Sequence, residues 1–287
     1  MDSWIWQPGY PLVSAKIDGD ELVLSQRRFA FDPDTADATL WVVPVRVRHG
    51  DESTDVLLDG DEVRLPAGDG PIIVNADGHG FFRVDYSDEL RDRLTAEVVA
   101  SMSTLERYNL VDDAWNAVTA GTMTAAEFVE LARRFDGERE YGVWRAAIGL
   151  RGVRRLLPEE GPSLESFRTI VRELAGPALA DLGEPVADES DLTKKARGLL
   201  LSVMAIQGND ADAIERARAI YAAWGDDPSS VDAELAASAT GVVAATGDAD
   251  HRPVPAHRRT RRHPTGPAPP PVPARRVRRR RPHATYL

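Results

Sequence analysis

The chain has 287 residues, 43% of them hydrophobic, and no cysteine. That is enough apolar material for two domains, and it excludes disulfides and thiolate metal sites. All 46 acidic residues and 24 of the 35 basic ones lie in residues 1–250, which carry −22, whereas residues 251–287 carry +11 from arginine alone; so acidic a body argues against a nucleic-acid-binding core.

The first 86 residues read as β-structure. Ile17-Asp18-Gly19-Asp20-Glu21-Leu22 signals a hairpin with Asp-Gly at its tip. Leu22, Leu24 and Gln26 alternate with Val23, Ser25 and Arg27. Trp41, Val43, Val45 and Val47 alternate with Val42, Pro44, Arg46 and Arg48, and Pro44 marks an edge or bulged strand. A second Asp-Gly hairpin is expected across Val56-Leu57-Leu58-Asp59-Gly60-Asp61-Glu62-Val63. A third is expected at Asp77-Gly78-His79-Gly80, with Phe82, Val84 and Tyr86 on one face of the strand that follows. Short strands at this spacing predict a small β-sandwich over residues 1–86.

From Ser87, an expected N-cap, the period is helical. Leu90, Leu94 and Val98 step by four. Ser103 with Glu106, and Thr124 with Glu127, are capping-box patterns, and Gly121 is placed to end the helix between them. A helix led by Trp144 and Ile148 is expected to end at Pro158. The next, with Leu164, Phe167, Ile170, Val171 and Leu174, is expected to break at Gly176-Pro177. Leu199, Val203 and Ile206, then Ile214, Ala217, Tyr221 and Trp224, then Val231, Leu235, Val242 and Val243, continue the series. The predicted fold is α+β: the sandwich followed by a HEAT- or armadillo-like α-helical superhelix over residues 87–250.

Residues 251–287 hold nine of the 20 prolines, four of the six histidines and no periodic pattern. They read as a disordered Arg- and Pro-rich tail. The abrupt change after Asp250 is what a frameshift in a GC-rich gene produces. As a genuine sequence, Arg275 to Arg281 would bind polyanions.

No recognisable active site is present. None of His49, His79, His251, His257, His263 and His283 is followed by Glu, so the His-Glu-x-x-His zinc helix is missing. There is no nucleophile elbow and no phosphate loop. His79 reads as an exposed turn residue, Asp112-Asp113 as a solvated helix face beside Trp115, and Arg83 with Asp85 as a cross-strand pair. Catalytic, cofactor-binding and metal-binding residues are therefore all predicted to be none. The start, Met1-Asp2-Ser3-Trp4, carries no secretory signal, and no stretch approaches the roughly 18 apolar residues of a membrane span. A cytoplasmic protein without membrane or specific nucleic-acid partners is expected.

Four stretches in order carry a resemblance. They are Trp4-Ile5-Trp6-Gln7-Pro8-Gly9-Tyr10-Pro11, Leu22-x-Leu24-x-Gln26-x-x-Phe29, Trp41-x-x-Pro44, and Asn75 to Tyr86 around Gly80-Phe81-Phe82-Arg83-Val84-x-Tyr86. Glu106-Arg107-x-x-Leu110-Val111-Asp112-Asp113-Ala114-Trp115 follows. Together they resemble the C-terminal part of the aminopeptidase N class of zinc aminopeptidases, the gluzincins that include the puromycin-sensitive enzymes. The resemblance implies a sandwich and a helical superhelix that wall a peptide chamber over a separate catalytic half. The family's zinc ligands, transition-state Tyr and Gly-x-Met-Glu-Asn segment have no matching positions, so the chain alone is expected neither to hold zinc nor to cleave peptides. Its expected partners are an upstream zinc-peptidase half and peptides. A stand-alone helical-repeat interaction module is the alternative. Apolar surface is expected to be exposed at both ends: at Trp4, Ile5, Trp6, Tyr10 and Leu12, and at Leu235, Val242 and Val243.

Overall fold

The computed structural model describes residues 2–247 apart from 33, 34, 36, 147 and 148; the expectations for residues 251–287 lie outside the described residues. After a four-residue helix, α1 (Asp2–Ile5), the chain forms the hairpin of β1 (Pro11–Asp18) and β2 (Glu21–Arg28). Its loop is Gly19-Asp20, with Asp18 opposite Glu21, and Gly19 at φ 62° supplies the left-handed turn. The alternating valines form β3 (Val43–His49), paired along its length with β4 (Glu52–Leu58). There follow β5 (Glu62–Pro66), β6 (Ile72–Val74) and β7 (Arg83–Tyr86).

These strands make two sheets, one ordered β5-β2-β1-β7 and the other β4-β3-β6. Val13, Ala15, Leu22, Leu24, Leu65, Val84 and Tyr86 of the first share a core with Val43, Val45, Val47, Leu58, Ile72 and Val74 of the second. Two expected hairpins are therefore corrected. Asp59-Gly60-Asp61 carries the chain from one sheet to the other. Gln26, buried in β2, fastens this crossing: its Nε2 donates to the carbonyls of Trp41 and Gly60, and its Oε1 accepts from the Trp41 N–H. The turn after β6 likewise changes sheets, and β7 runs parallel to β1, an arrangement no hairpin can make. Turn chemistry sets the local bend; which sheet accepts the next strand depends on which buried face still needs covering. Pro44 sits in the central strand, not at an edge, but β6 reaches only Val47–His49, so the Pro44 end has no neighbour on that side.

The helices begin at α2 (Asp88–Arg93), with Ser87 at its N-cap, and α3 (Ala96–Ser101). The step of four is interrupted between them, where the Thr95 side chain accepts from the Val98 N–H and starts a new helix. Both capping boxes are formed, Ser103/Glu106 on α4 (Thr104–Thr119) and Thr124/Glu127 on α5 (Ala125–Ala132). Next come α6 (Tyr141–Ala146), α7 (Gly149–Leu156) and α8 (Pro162–Leu182). The expected break in α8 does not occur: the helix continues through Pro177. Leu174, Ala175, Ala178 and Leu179 are buried on both sides of the proline, and their packing offsets the one backbone hydrogen bond that proline forfeits.

α9 (Asp191–Ser202), a π-helical turn (Val203–Gln207), α10 (Ala211–Asp226) and α11 (Ala233–Thr246) complete the described chain. One core cluster runs from the sheets through α2–α7 into the start of α8; a second joins α8 to α9, α10 and α11. Leu235, Val242 and Val243 are buried in this far end and not exposed. No described helix is long and apolar enough to cross a membrane.

Candidate functional site

The loop after β6 is held in a strained shape. Asn75, Asp77 and Gly78 have φ of 64°, 65° and 75°, which is costly for the first two. Asn75 offsets part of that cost by closing the loop on itself. Its Oδ1 accepts from the Gly80 N–H at 2.8 Å, and its Nδ2 donates to the Gly80 carbonyl at 3.2 Å. The capping Glu106 of α4 then serves both elements: it accepts from the Ser103 and Asp77 N–H groups and from Arg48 at 3.0 Å. Asn109 donates to the Gly78 carbonyl. A Cβ on Gly78 would lie 2.6 Å from Leu105, so glycine is needed for space as well as for φ.

The strand after this loop alternates between surface and core. Phe81 is 71% exposed, Phe82 is buried, and Arg83 turns towards α4. Arg83 Nη1 lies 2.7 Å from Asp112 Oδ2 and 2.9 Å from Asp113 Oδ1, and Arg83 Nε donates to Tyr10 Oη at 3.1 Å. The other Asp113 oxygen accepts from the Val84 N–H at 2.9 Å. Burial pushes the Asp113 carboxyl up to about 7, against the opposing pull of the Val84 N–H and the Arg83 charge. Burial lowers the Arg83 guanidinium, but its bonds to Asp112 and Tyr10 outweigh that and hold it above its ordinary value.

Two sequence expectations are corrected here. Arg83 pairs with Asp112 and Asp113, not with Asp85, and Asp113 is buried instead of solvated. Only the docking of α4 on β7 brings these residues, some 30 positions apart, within reach. Nothing local in the sequence signals it. A second tie joins the sheets, where the Val74 N–H donates to Tyr86 Oη at 2.8 Å; burial pushes that phenol up.

Above the Arg83 cluster lies an aromatic surface. The Arg83 guanidinium sits 5.2 Å from the Phe29 ring centre and 5.8 Å from that of Tyr10. Tyr10 stacks on Phe29 at 5.3 Å, and Phe29 meets Phe31 edge-on at 5.1 Å. Phe81 touches Tyr10 at 5.7 Å and Trp4 at 6.3 Å. The start of the chain is fastened to the residue just ahead of β3: Trp4 Nε1 donates to the Val42 carbonyl at 2.9 Å, and the Val42 N–H donates to Ser3 Oγ at 3.2 Å. Trp6 is 80% exposed, Ile5 61% and Phe31 55%. Of the residues expected at this surface, Ile5 and Trp6 are exposed, Trp4 and Tyr10 half-buried, and Leu12 buried beneath. Phe31, Val42 and Phe81 are surface members that strand-pattern reasoning missed.

The histidines are not brought together. His49 is half-buried at the end of β3, and His79 is exposed on the strained loop. Among the described residues no group of three or more His, Cys, Asp or Glu could hold a metal ion.

Residues 71–252 match the family model of the ERAP1-like C-terminal domain. The chain belongs to that family. The matched segment opens at β6 and takes in the strained loop, Arg83 and the helices. The chain is 29% identical over 245 residues to aminopeptidase N of Lactococcus lactis subsp. lactis (strain IL1403), covering 82% of this chain and 28% of that protein. It is 29% identical over 240 residues to aminopeptidase M1-B of Oryza sativa subsp. japonica, covering 77% and 27%. Glutamyl aminopeptidase of Bitis rhinoceros is 27% identical over 245 residues, covering 78% and 25%. The chain thus spans little more than a quarter of these relatives and corresponds to the C-terminal, non-catalytic portion of an aminopeptidase. The zinc of the family belongs to a catalytic domain that these residues do not include. Among the described residues the donor set does not fit that ion.

Proposed function

We propose that this chain forms a wall of the peptide chamber of a zinc aminopeptidase, closing over a catalytic half that these residues do not include. The observation that carries the reading is the ERAP1-like C-terminal domain match over residues 71–252, in a chain whose match covers 28% of the Lactococcus relative. In this reading residues 1–86 act as a sandwich-like spacer, and residues 87–250 as a superhelical wall that selects peptides by length. No residue of this chain is assigned a catalytic role, and the assembly works in the cytoplasm. Two successive helical cores that share α8 are compatible with such an arrangement.

The test is co-expression with a zinc-peptidase half bearing His-Glu-x-x-His, then gel filtration and assay on peptides of several lengths. Co-elution and a changed length preference are expected. Separate elution with an unchanged preference overturns the wall and favours a stand-alone interaction module.

A further inference from the structure

The exposed aromatic surface at the start of the chain has features that chance exposure does not produce. Its members are large: Ile5, Trp6, Phe31, Val42 and Phe81 are all exposed, with Trp4, Tyr10 and Phe29 forming the layer beneath. Trp4, Phe81, Tyr10, Phe29 and Phe31 are linked ring to ring, with Ile5 and Trp6 next to Trp4 in the chain; exposed apolar surface of this kind marks an interaction site, and Trp and Tyr are the side chains that most often anchor one. The Phe81, Tyr10 and Phe29 part of it is also braced. Phe81 projects from a loop whose left-handed residues are closed by Asn75 and braced by Glu106. Tyr10 and Phe29 are held from below by Arg83, itself fixed by Asp112 and Asp113. A surface ordered before binding loses little side-chain entropy on binding.

We infer that this aromatic surface is the docking face for the zinc-peptidase half. The inference rests on the function proposed above and names the residues that make the contact. Two observations select this occupant. The relatives carry nearly three-quarters of their length outside the match to this chain, and that polypeptide must pack against some surface of the matched part. Ser3 and Trp4 are bonded into the surface through Val42, so any polypeptide joined ahead of them leaves the fold through this face. Trp6 and Phe81 are the anchors; the braced loop and the Arg83 cluster are positioning elements that keep the aromatic layer in place.

The experiment uses the full chain and, as partner, the part of Lactococcus lactis aminopeptidase N that precedes its match to this chain, with affinity measured by a labelled-protein titration. Trp6→Ser and Phe81→Ser are each expected to weaken binding about tenfold or more. Leu156→Ser is the control, because Leu156 is 66% exposed on α7 and is assigned no contact; it should bind as the unchanged chain does. Thermal unfolding of each variant verifies folding, since all three side chains are exposed. If the unchanged chain binds and the two surface variants bind equally well, the docking face lies elsewhere and the proposed function stands. If the unchanged chain does not bind, the proposed function fails and the docking face with it. If Trp6→Ser instead converts a self-associated chain to monomer without affecting the partner, the surface joins two copies and the inference is overturned.

Discussion

The two ends of the folded chain were equally suspect in sequence and turn out differently. At the far end, α11 buries Leu235, Val242 and Val243 and lays Ala236 and Ala239 against its neighbours. Small residues let helices approach closely, so α11 closes a core with α8, α9 and α10. At the near end, a four-residue helix and two loops carry Ile5, Trp6, Phe31 and Phe81, and no further layer among the described residues covers them. A helix can turn its apolar stripe inward by rotating about its axis. A loop braced by Asn75 and Glu106 cannot, so its apolar tip stays where the backbone puts it.

That contrast can be broken by substitution. The largest effect is expected from Arg83→Ala, which leaves Asp113 buried without its counter-charge; it should cost about 4 kcal/mol in urea unfolding. A loss within about 0.5 kcal/mol would show that the cluster does not support the near end. At the far end, Leu235→Ala opens a cavity in the second core and should cost about 3 kcal/mol. A near-neutral result there would mean that α11 is not packed as described.

The loop and the buried acid sharpen the comparison. Gly78→Ala must adopt φ 75° and meet Leu105, and should lose about 2 kcal/mol. The same substitution at Gly241, in α11 with open space around it, should be neutral or slightly stabilising. Asp113 predicts a pH dependence confined to the near end. Its carboxyl is raised from 3.8 to about 7 in the folded chain. Between those values the folded chain therefore holds a proton that the unfolded chain has released. This contribution is complete below pH 3.8 and is lost as pH rises through 7. Asp113→Asn should remove that decline, measured as the urea midpoint between pH 5 and 8. Parallel pH profiles for the two chains would refute it. The smallest effect on stability is expected for Trp6→Ser, within about 0.5 kcal/mol, although the same change should have a large effect on partner binding.

Much of the local architecture was legible. The Val43, Val45, Val47 alternation is a strand with those residues buried, because period two matches the pleat. Ser103/Glu106 and Thr124/Glu127 start helices because each box satisfies orphan N–H groups within four residues. The ordered landmarks from Trp4 to Trp115 pointed to the family that the match over residues 71–252 establishes. The partners of Arg83 were not legible, nor was the passage of α8 through Pro177.

What the sequence determined by itself is what depends on neighbours a few positions apart: the period of each element, the Gly19 turn and the two capping boxes. What only the tertiary structure decided is which surfaces meet. The Asp59-Gly60-Asp61 turn changes sheets, Asp113 is buried against Arg83, and Trp6 and Phe81 remain uncovered. Each is settled by packing between residues distant in the chain, where burial of a whole face outweighs the preference of any single turn, proline or charge.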